Sequence, residues 1–199
     1  DPYRAGRRHP VPGDPTPGSP EAWRAAASEL VHEWGFRALK AHVSPGETPF
    51  GTDRVDAMVA CFAAAREGAG PGVPVAIDIH NPHPAIARQM LRALAPHRPL
   101  FVEEPMPIER VDALAEAVAG SEVPVAAGER WMGKWIFLDA LSRGLLAVVQ
   151  PDLAHAGGIT ECKKIAAIAE AAFATVALHC PLSPLAFAAS VQLDAAIPN

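Results

Sequence analysis

"VPVAIDIHN", residues 73–81, opens as a strand covered on both faces and closes on two groups that are costly to bury. Val73, Val75, Ile77 and Ile79 make the apolar, β-branched run of a strand inside a parallel sheet. Asp78 and His80 then end it. One such ending is an accident of a loop; a series of them describes a site.

The ending recurs along the chain. "FRALKAH" (36–42) finishes on His42, "PLFVEEP" (99–105) on Glu103 and Glu104, and "VPVAAGE" (123–129) on Glu129. "LAVVQPD" (146–152) finishes on Asp152 and "ATVALHC" (174–180) on His179. Helical patterns lie between them. Ser19 caps the first, with Pro20 at its first position, Trp23, Leu30, Val31 and Trp34 as its stripe, and Gly35 to end it. A helix over 52–67 carries Val55, Met58, Val59 and Phe62, and one over 84–95 carries Ile86, Met90, Leu91 and Leu94. Further helices are predicted over 109–119, 134–143, 158–171 and 184–193.

Strands alternating with helices predict an α/β fold on a parallel sheet. The polar endings at 78, 103, 129, 152 and 179 are separated by 25, 26, 23 and 27 residues. That is the period of a (β/α) TIM-type barrel, whose strand C-termini gather on one active face. An open doubly wound sheet usually carries a Gly-rich turn after its first strand, and none is present here.

Bulk properties exclude other classes. A net charge of −5 with scattered Lys and Arg leaves no footprint for nucleic acid. The apolar stretch 165–191 is broken by Glu170, His179, Pro181 and Pro184, which argues against a membrane span. Cys61, Cys162 and Cys180 form no CxxC pair and no export leader opens the chain, so the expected location is cytoplasmic. Residues 1–18, rich in proline, read as an irregular linker or the remnant of a first barrel strand, and 19–199 as an incomplete barrel.

The expected mouth collects Lys40, His42, Asp78, His80, Glu103, Glu129, Asp152 and His179. Asp78, Glu103 and Glu129 come from three successive strands, and three crowded carboxylates repel unless a cation joins them. Oxygen-only ligands favour Mg²⁺ over zinc. Asp152 accepting from His179 fixes the tautomer of a general base, and His80 stands across the acids as a general acid. His42 has the parity to touch substrate. Glu104 points away by parity and is expected to cap or support. Trp131 and Trp135 are expected at the rim, with Trp131 near enough to Glu129 to wall a pocket. His9, His32, His83 and His97 read as structural, and "AGGIT" (156–160) as a tight turn.

Five motifs together resemble the enolase superfamily: "DIH" (78–80), "FVEEP" (101–105), "AGERW" (127–131), "QPDLAHAGGITECKKIA" (150–166) and "ALHCPLSPLA" (177–186). Within its mandelate racemase-like subgroup the chain is most similar to sugar-acid dehydratases of the galactonate type. The resemblance implies Mg²⁺ on Asp78, Glu103 and Glu129, and His179 with Asp152 as the base acting beside the substrate carboxylate. It implies His80 as the acid, and a 2-keto-3-deoxy acid as product. Lys40, His42, Arg130 and Trp131 are the expected substrate contacts. It implies a small-molecule sugar-acid substrate, no nucleic-acid or membrane partner, and a homo-oligomer for the full-length parent.

The chain also departs from the pattern. Family racemases place Lys-x-Lys on the second barrel strand, where this chain reads Lys40-Ala41-His42, which disfavours an epimerase or cycloisomerase. The galactonate enzymes carry Asn at the position of His42, and a Gly-Arg and a Lys where this chain reads "NPHPAIAR". No counterpart of the family's N-terminal capping domain is found, and the last strand would lie beyond Asn199. The expectation is therefore a partial barrel of about six strands, either the catalytic portion of a dehydratase or an inactive truncated fragment of one.

Overall fold

The computed structural model describes residues 19–43, 52–80, 82–106 and 111–199. The proline-rich segment 1–18 and the expected helix start at 109–110 lie outside the described residues. Six strands form one parallel sheet in chain order: β1 (Leu39–His42), β2 (Val75–Asp78), β3 (Val102–Glu103), β4 (Val125–Ala127), β5 (Val148–Val149) and β6 (Thr175–Val176). A doubly wound sheet would reverse its order at the centre. This one does not reverse, so it is an open run of barrel staves with β1 and β6 as its edges.

Helices fill every described connection: α1 (Pro20–His32), α2 (Thr52–Ala69), α3 (Pro84–Leu94), α4 (Val111–Val118), α5 (Lys134–Ser142), α6 (Leu153–Ala156), α7 (Gly158–Ala171) and α8 (Pro184–Asp194). Their starts follow local chemistry. The Ser19 hydroxyl accepts from the Ala22 N–H at 3.5 Å ahead of Pro20, and the Ser183 hydroxyl accepts from Ala186 at 3.1 Å ahead of Pro184. His83 takes the same role for α3, its Nδ1 accepting from the Ala85 N–H, which agrees with a structural histidine. The short α6 was not anticipated. Gly157 (φ 115°) ends it and leads into α7, so "AGGIT" joins two helices instead of a strand and a helix.

The core lies between sheet and helices. Met58 and Phe62 of α2, Met90 and Leu94 of α3, Phe137 of α5 and Ile165 of α7 close over Val75, Ile77, Val102 and Val149. Cys61 and Cys162 are buried and in no disulfide, and desolvation pushes the Cys162 thiol up to about 12, so it behaves as a small apolar residue. No helix among the described residues is long and apolar enough to cross a membrane. At the β6 edge the Val176 N–H donates to the Asn199 carbonyl at 3.0 Å, and the Asn199 amide reaches the carbonyls of Ala166 and Ala174. Beside it, α8 leaves Leu185 and Phe187 exposed.

α1 and α2 meet at a glycine. A Cβ on Gly68 would overlap the Arg24 backbone carbonyl, which cannot rotate away. Gly68→Ala is expected to cost about 2 kcal/mol in urea unfolding, the ordinary magnitude of overpacking. Glu67→Ala removes only the exposed ion pair to Arg24 (2.8 Å) and is expected to cost no more than about 1 kcal/mol.

Candidate active site

Register sets the level of the site. His42 pairs with Asp78 across β1–β2, and Asp78 with Glu103 across β2–β3, so three polar side chains stand at one height on adjoining strands. Glu103 pairs in turn with Ala126, and Glu129 follows three residues later, past the end of β4. Asp78, Glu103, Glu129 and Asp152 are all buried. Buried carboxylates need compensating partners, and each of the four has at least one.

Glu103 receives the Lys40 ammonium on Oε1 and the Gln150 amide on Oε2 at 2.6 Å. Asp78 faces the His42 Nδ1 at 2.8 Å and accepts the His80 backbone N–H at 2.9 Å. Burial is the largest single influence on Asp78 and pushes its carboxyl up. The His42 hydrogen bond and charge, with the His80 N–H, outweigh it and leave the group below its usual value. His42 moves the opposite way: its bond to Asp78 raises it against the opposing effect of burial. Glu129 lies 3.4 Å from His179 Nε2 and 4.0 Å from Arg130 Nε.

The His179 and Asp152 pair is compact. Asp152 is fully enclosed, accepts the Ala154 N–H on Oδ1 at 2.7 Å as the cap of α6, and meets His179 Nδ1 with Oδ2 at 2.8 Å. A backbone bridge also joins the two residues beyond β5 and β6. With Nδ1 engaged, Nε2 is the nitrogen directed to Glu129.

Simple alternation along the strands does not carry over to the loops. His80 and Glu104 both adopt left-handed backbone (φ 46° each), so parity counted through them fails. His80 stays near Asp78 through a local turn in which the Asp78 side chain accepts its N–H two residues on. Its imidazole is 3.9 Å from Asp78 and edge-on to the His42 ring at 5.4 Å. Glu104, expected as a support, is fully buried and accepts the Gly128 N–H at 2.9 Å, with Arg130 at 3.6 Å. Desolvation, opposed by the Gly128 bond and reinforced by the charge of Glu129, raises Glu104 to about 7.

Asp78, Glu103 and Glu129 stand on successive staves, each with its own partners: His42 and the His80 N–H, Lys40 and Gln150, and His179 with Arg130. Among the described residues, the trio whose ligand atoms lie within 4.8 Å of one another is His42, Asp78 and His80. Trp131 is 2% exposed and packs edge-on against Phe137 at 4.9 Å, so it fills core instead of walling the mouth. Trp135, expected at the rim, is exposed beneath the Lys134 ammonium. Lys40, His42 and Arg130 retain substantial exposure beside the acids. Gln150 was overlooked as a site residue, although it shares the parity of Asp152. Its Oε1 is buried without a hydrogen-bond partner.

That orphaned oxygen beside Glu103, and a carboxylate set on consecutive staves, fit a hard divalent ion. Among the described residues, the five carboxyls of Asp78, Glu103, Glu104, Glu129 and Asp152 have two fixed cations within ion-pair distance, Lys40 and Arg130.

The chain is similar to known proteins both in sequence and in fold. The D-galactonate dehydratases of Variovorax paradoxus and Ralstonia nicotianae are 49% and 47% identical over 141 residues, 70% of this chain and 37% of each relative. The chain thus spans little more than a third of the curated relatives it matches. A mandelate racemase/muconate lactonizing enzyme from Jannaschia sp. superposes with a TM-score of 0.83 at 34% identity, over 92% of this chain and 48% of that one. A mandelate racemase/muconate lactonizing enzyme-like protein from Rubrobacter xylanophilus gives 0.84 at 34%, over 92% and 49%. The model of the enolase C-terminal domain-like family matches residues 22–199, and the chain belongs to that family.

Proposed function

We propose that this chain is the catalytic barrel portion of a Mg²⁺-dependent dehydratase acting on a sugar acid, an aldonate such as galactonate. The observation that carries the reading is the His179 imidazole, tied to Asp152 at 2.8 Å through Nδ1 and presenting Nε2 to the acid-lined mouth. The kinship with D-galactonate dehydratases supports the substrate class.

Asp78, Glu103 and Glu129 would hold the ion, which when bound supplies positive charge to a substrate carboxylate whose α-carbon is losing a proton. His179 Nε2 takes that proton, while Asp152 accepts from Nδ1 and holds the ring. The C–H electron pair is first held on the substrate as an enediolate, and then forms the C2–C3 double bond as the C3–O bond breaks. His80, half-exposed at the end of β2, donates a proton to the departing hydroxyl, which leaves as water. The enol then tautomerises to the 2-keto-3-deoxy acid. Lys40 and Arg130 are placed to meet the substrate's anionic and hydroxyl oxygens. We place the enzyme in the cytoplasm, where its cysteines stay reduced.

The test is a panel of aldonates and aldarates with Mg²⁺, using the protein that carries this chain and scoring 2-keto-3-deoxy products by NMR. Dehydration of none of them rejects the reading. Metal linkage gives a separate readout. Mg²⁺ at about 100 times its Kd is expected to stabilise the fold by about 2.7 kcal/mol, and EDTA to remove the gain. Asp78→Asn is expected to lose it as well. An unfolding midpoint indifferent to Mg²⁺ contradicts the ligand assignment.

A further inference from the structure

The His42, Asp78 and His80 trio has the makings of a metal site of a different kind from the carboxylate set. We propose that it binds a late first-row transition ion, with Zn²⁺ as the test case, in competition with Mg²⁺ for Asp78. The Zn²⁺ site stands on the trio alone, and its competition with Mg²⁺ rests on the ligand set proposed above.

Two imidazole nitrogens and one carboxylate form a borderline donor set, which suits Zn²⁺ and its neighbours better than a hard ion. The ligand atoms already lie within 4.8 Å of one another. His42 Nδ1 is 2.8 Å and His80 Nδ1 3.9 Å from opposite oxygens of Asp78. Two ligands about 2.1 Å from a shared ion stand roughly 3.0–3.4 Å apart, so small rotations complete the coordination. The backbone favours this arrangement. His42 and Asp78 are register partners, and the turn that sends the His80 N–H to Asp78 fixes the third ligand beside the second.

Charge and access agree. Among the described residues no Lys or Arg lies within ion-pair distance of Asp78, whereas Glu103 is held by Lys40 and Glu129 lies beside Arg130. Both imidazoles are about half exposed, at 53% and 54%, leaving room for water to fill the remaining positions. Asp78 is thus the carboxylate most available to an ion brought by nitrogen ligands. Because it also belongs to the proposed Mg²⁺ set, occupancy by one ion weakens the other.

Isothermal titration of the metal-stripped protein that carries this chain with ZnCl₂ tests this, with circular dichroism confirming the fold of each variant. One Zn²⁺ per chain is expected. His42→Gln and His80→Gln should each weaken it by at least the roughly 10–100-fold that loss of even an outer-shell partner costs. Glu129→Gln and His32→Gln should leave it intact. Saturating Mg²⁺ should lower the apparent Zn²⁺ affinity of the wild-type chain. Zn²⁺ binding that survives both site-histidine changes but fails in Glu129→Gln places the ion on the carboxylates and overturns the proposal, as does the absence of binding. Indifference to Mg²⁺ overturns the shared role of Asp78. Retained Zn²⁺ binding with lost Mg²⁺ binding in Glu129→Gln supports it and separates the two sites.

Discussion

His179→Asn is expected to reduce exchange of the substrate α-proton with D₂O by roughly 10²–10⁴-fold, the usual contribution of a positioned base. The amide of asparagine can still donate toward Asp152, so the buried carboxylate keeps a partner and the fold should survive; what disappears is the nitrogen facing the mouth. Asp152→Asn tests the same arrangement from behind. Its oxygen can still cap α6 through the Ala154 N–H, since asparagine caps as well as aspartate does. An NH₂ group placed against His179 Nδ1 would force the proton onto Nε2, and exchange should fall to a similar extent. His80→Asn is expected to split the reaction: exchange continues while release of water stops. Exchange at full rate in His179→Asn would show that another group is the base.

The largest expected effect on folding comes from Gly128→Ala. Gly128 has φ 128°, a conformation side chains avoid, and a Cβ there would stand 2.5 Å and 2.9 Å from ring carbons of the fully buried Phe137. Positive-φ strain and overpacking each cost on the order of 1–3 kcal/mol, so a loss of about 4 kcal/mol is expected in denaturant unfolding. Phe137 cannot yield freely, because its ring also packs edge-to-face with Trp131. The Gly128 N–H also holds Glu104, so any backbone shift would loosen that buried acid. The double change Gly128→Ala with Phe137→Leu should recover part of the loss if the ring is the obstacle. No recovery would assign the cost to the backbone alone.

Helices and strand order were legible because their causes are local. Ser19-Pro20 and Ser183-Pro184 mark helix starts, and the spacing of Met58 and Phe62, or of Met90 and Leu94, marks the buried faces. The adjacency of the polar endings followed from their period. Side-chain direction beyond the strand ends was not legible, since His80 and Glu104 take left-handed backbone that a two-residue alternation ignores. Trp131 misled because its neighbour in sequence, Glu129, is not a guide to its neighbour in space, Phe137. The partner of each acid was not legible either, since Lys40 reaches Glu103 across 63 positions of sequence.

The stave order carries a kinetic implication. Among the described strands every hydrogen-bonded neighbour is also the next strand in the chain, so none of these pairings must wait for a distant segment to be made. Closing loops of similar, moderate length costs little more for the sixth unit than for the second, because that entropy grows only with the logarithm of length. Assembly can therefore advance from the amino-terminal side during synthesis, each new βα unit condensing on the face its predecessor has prepared.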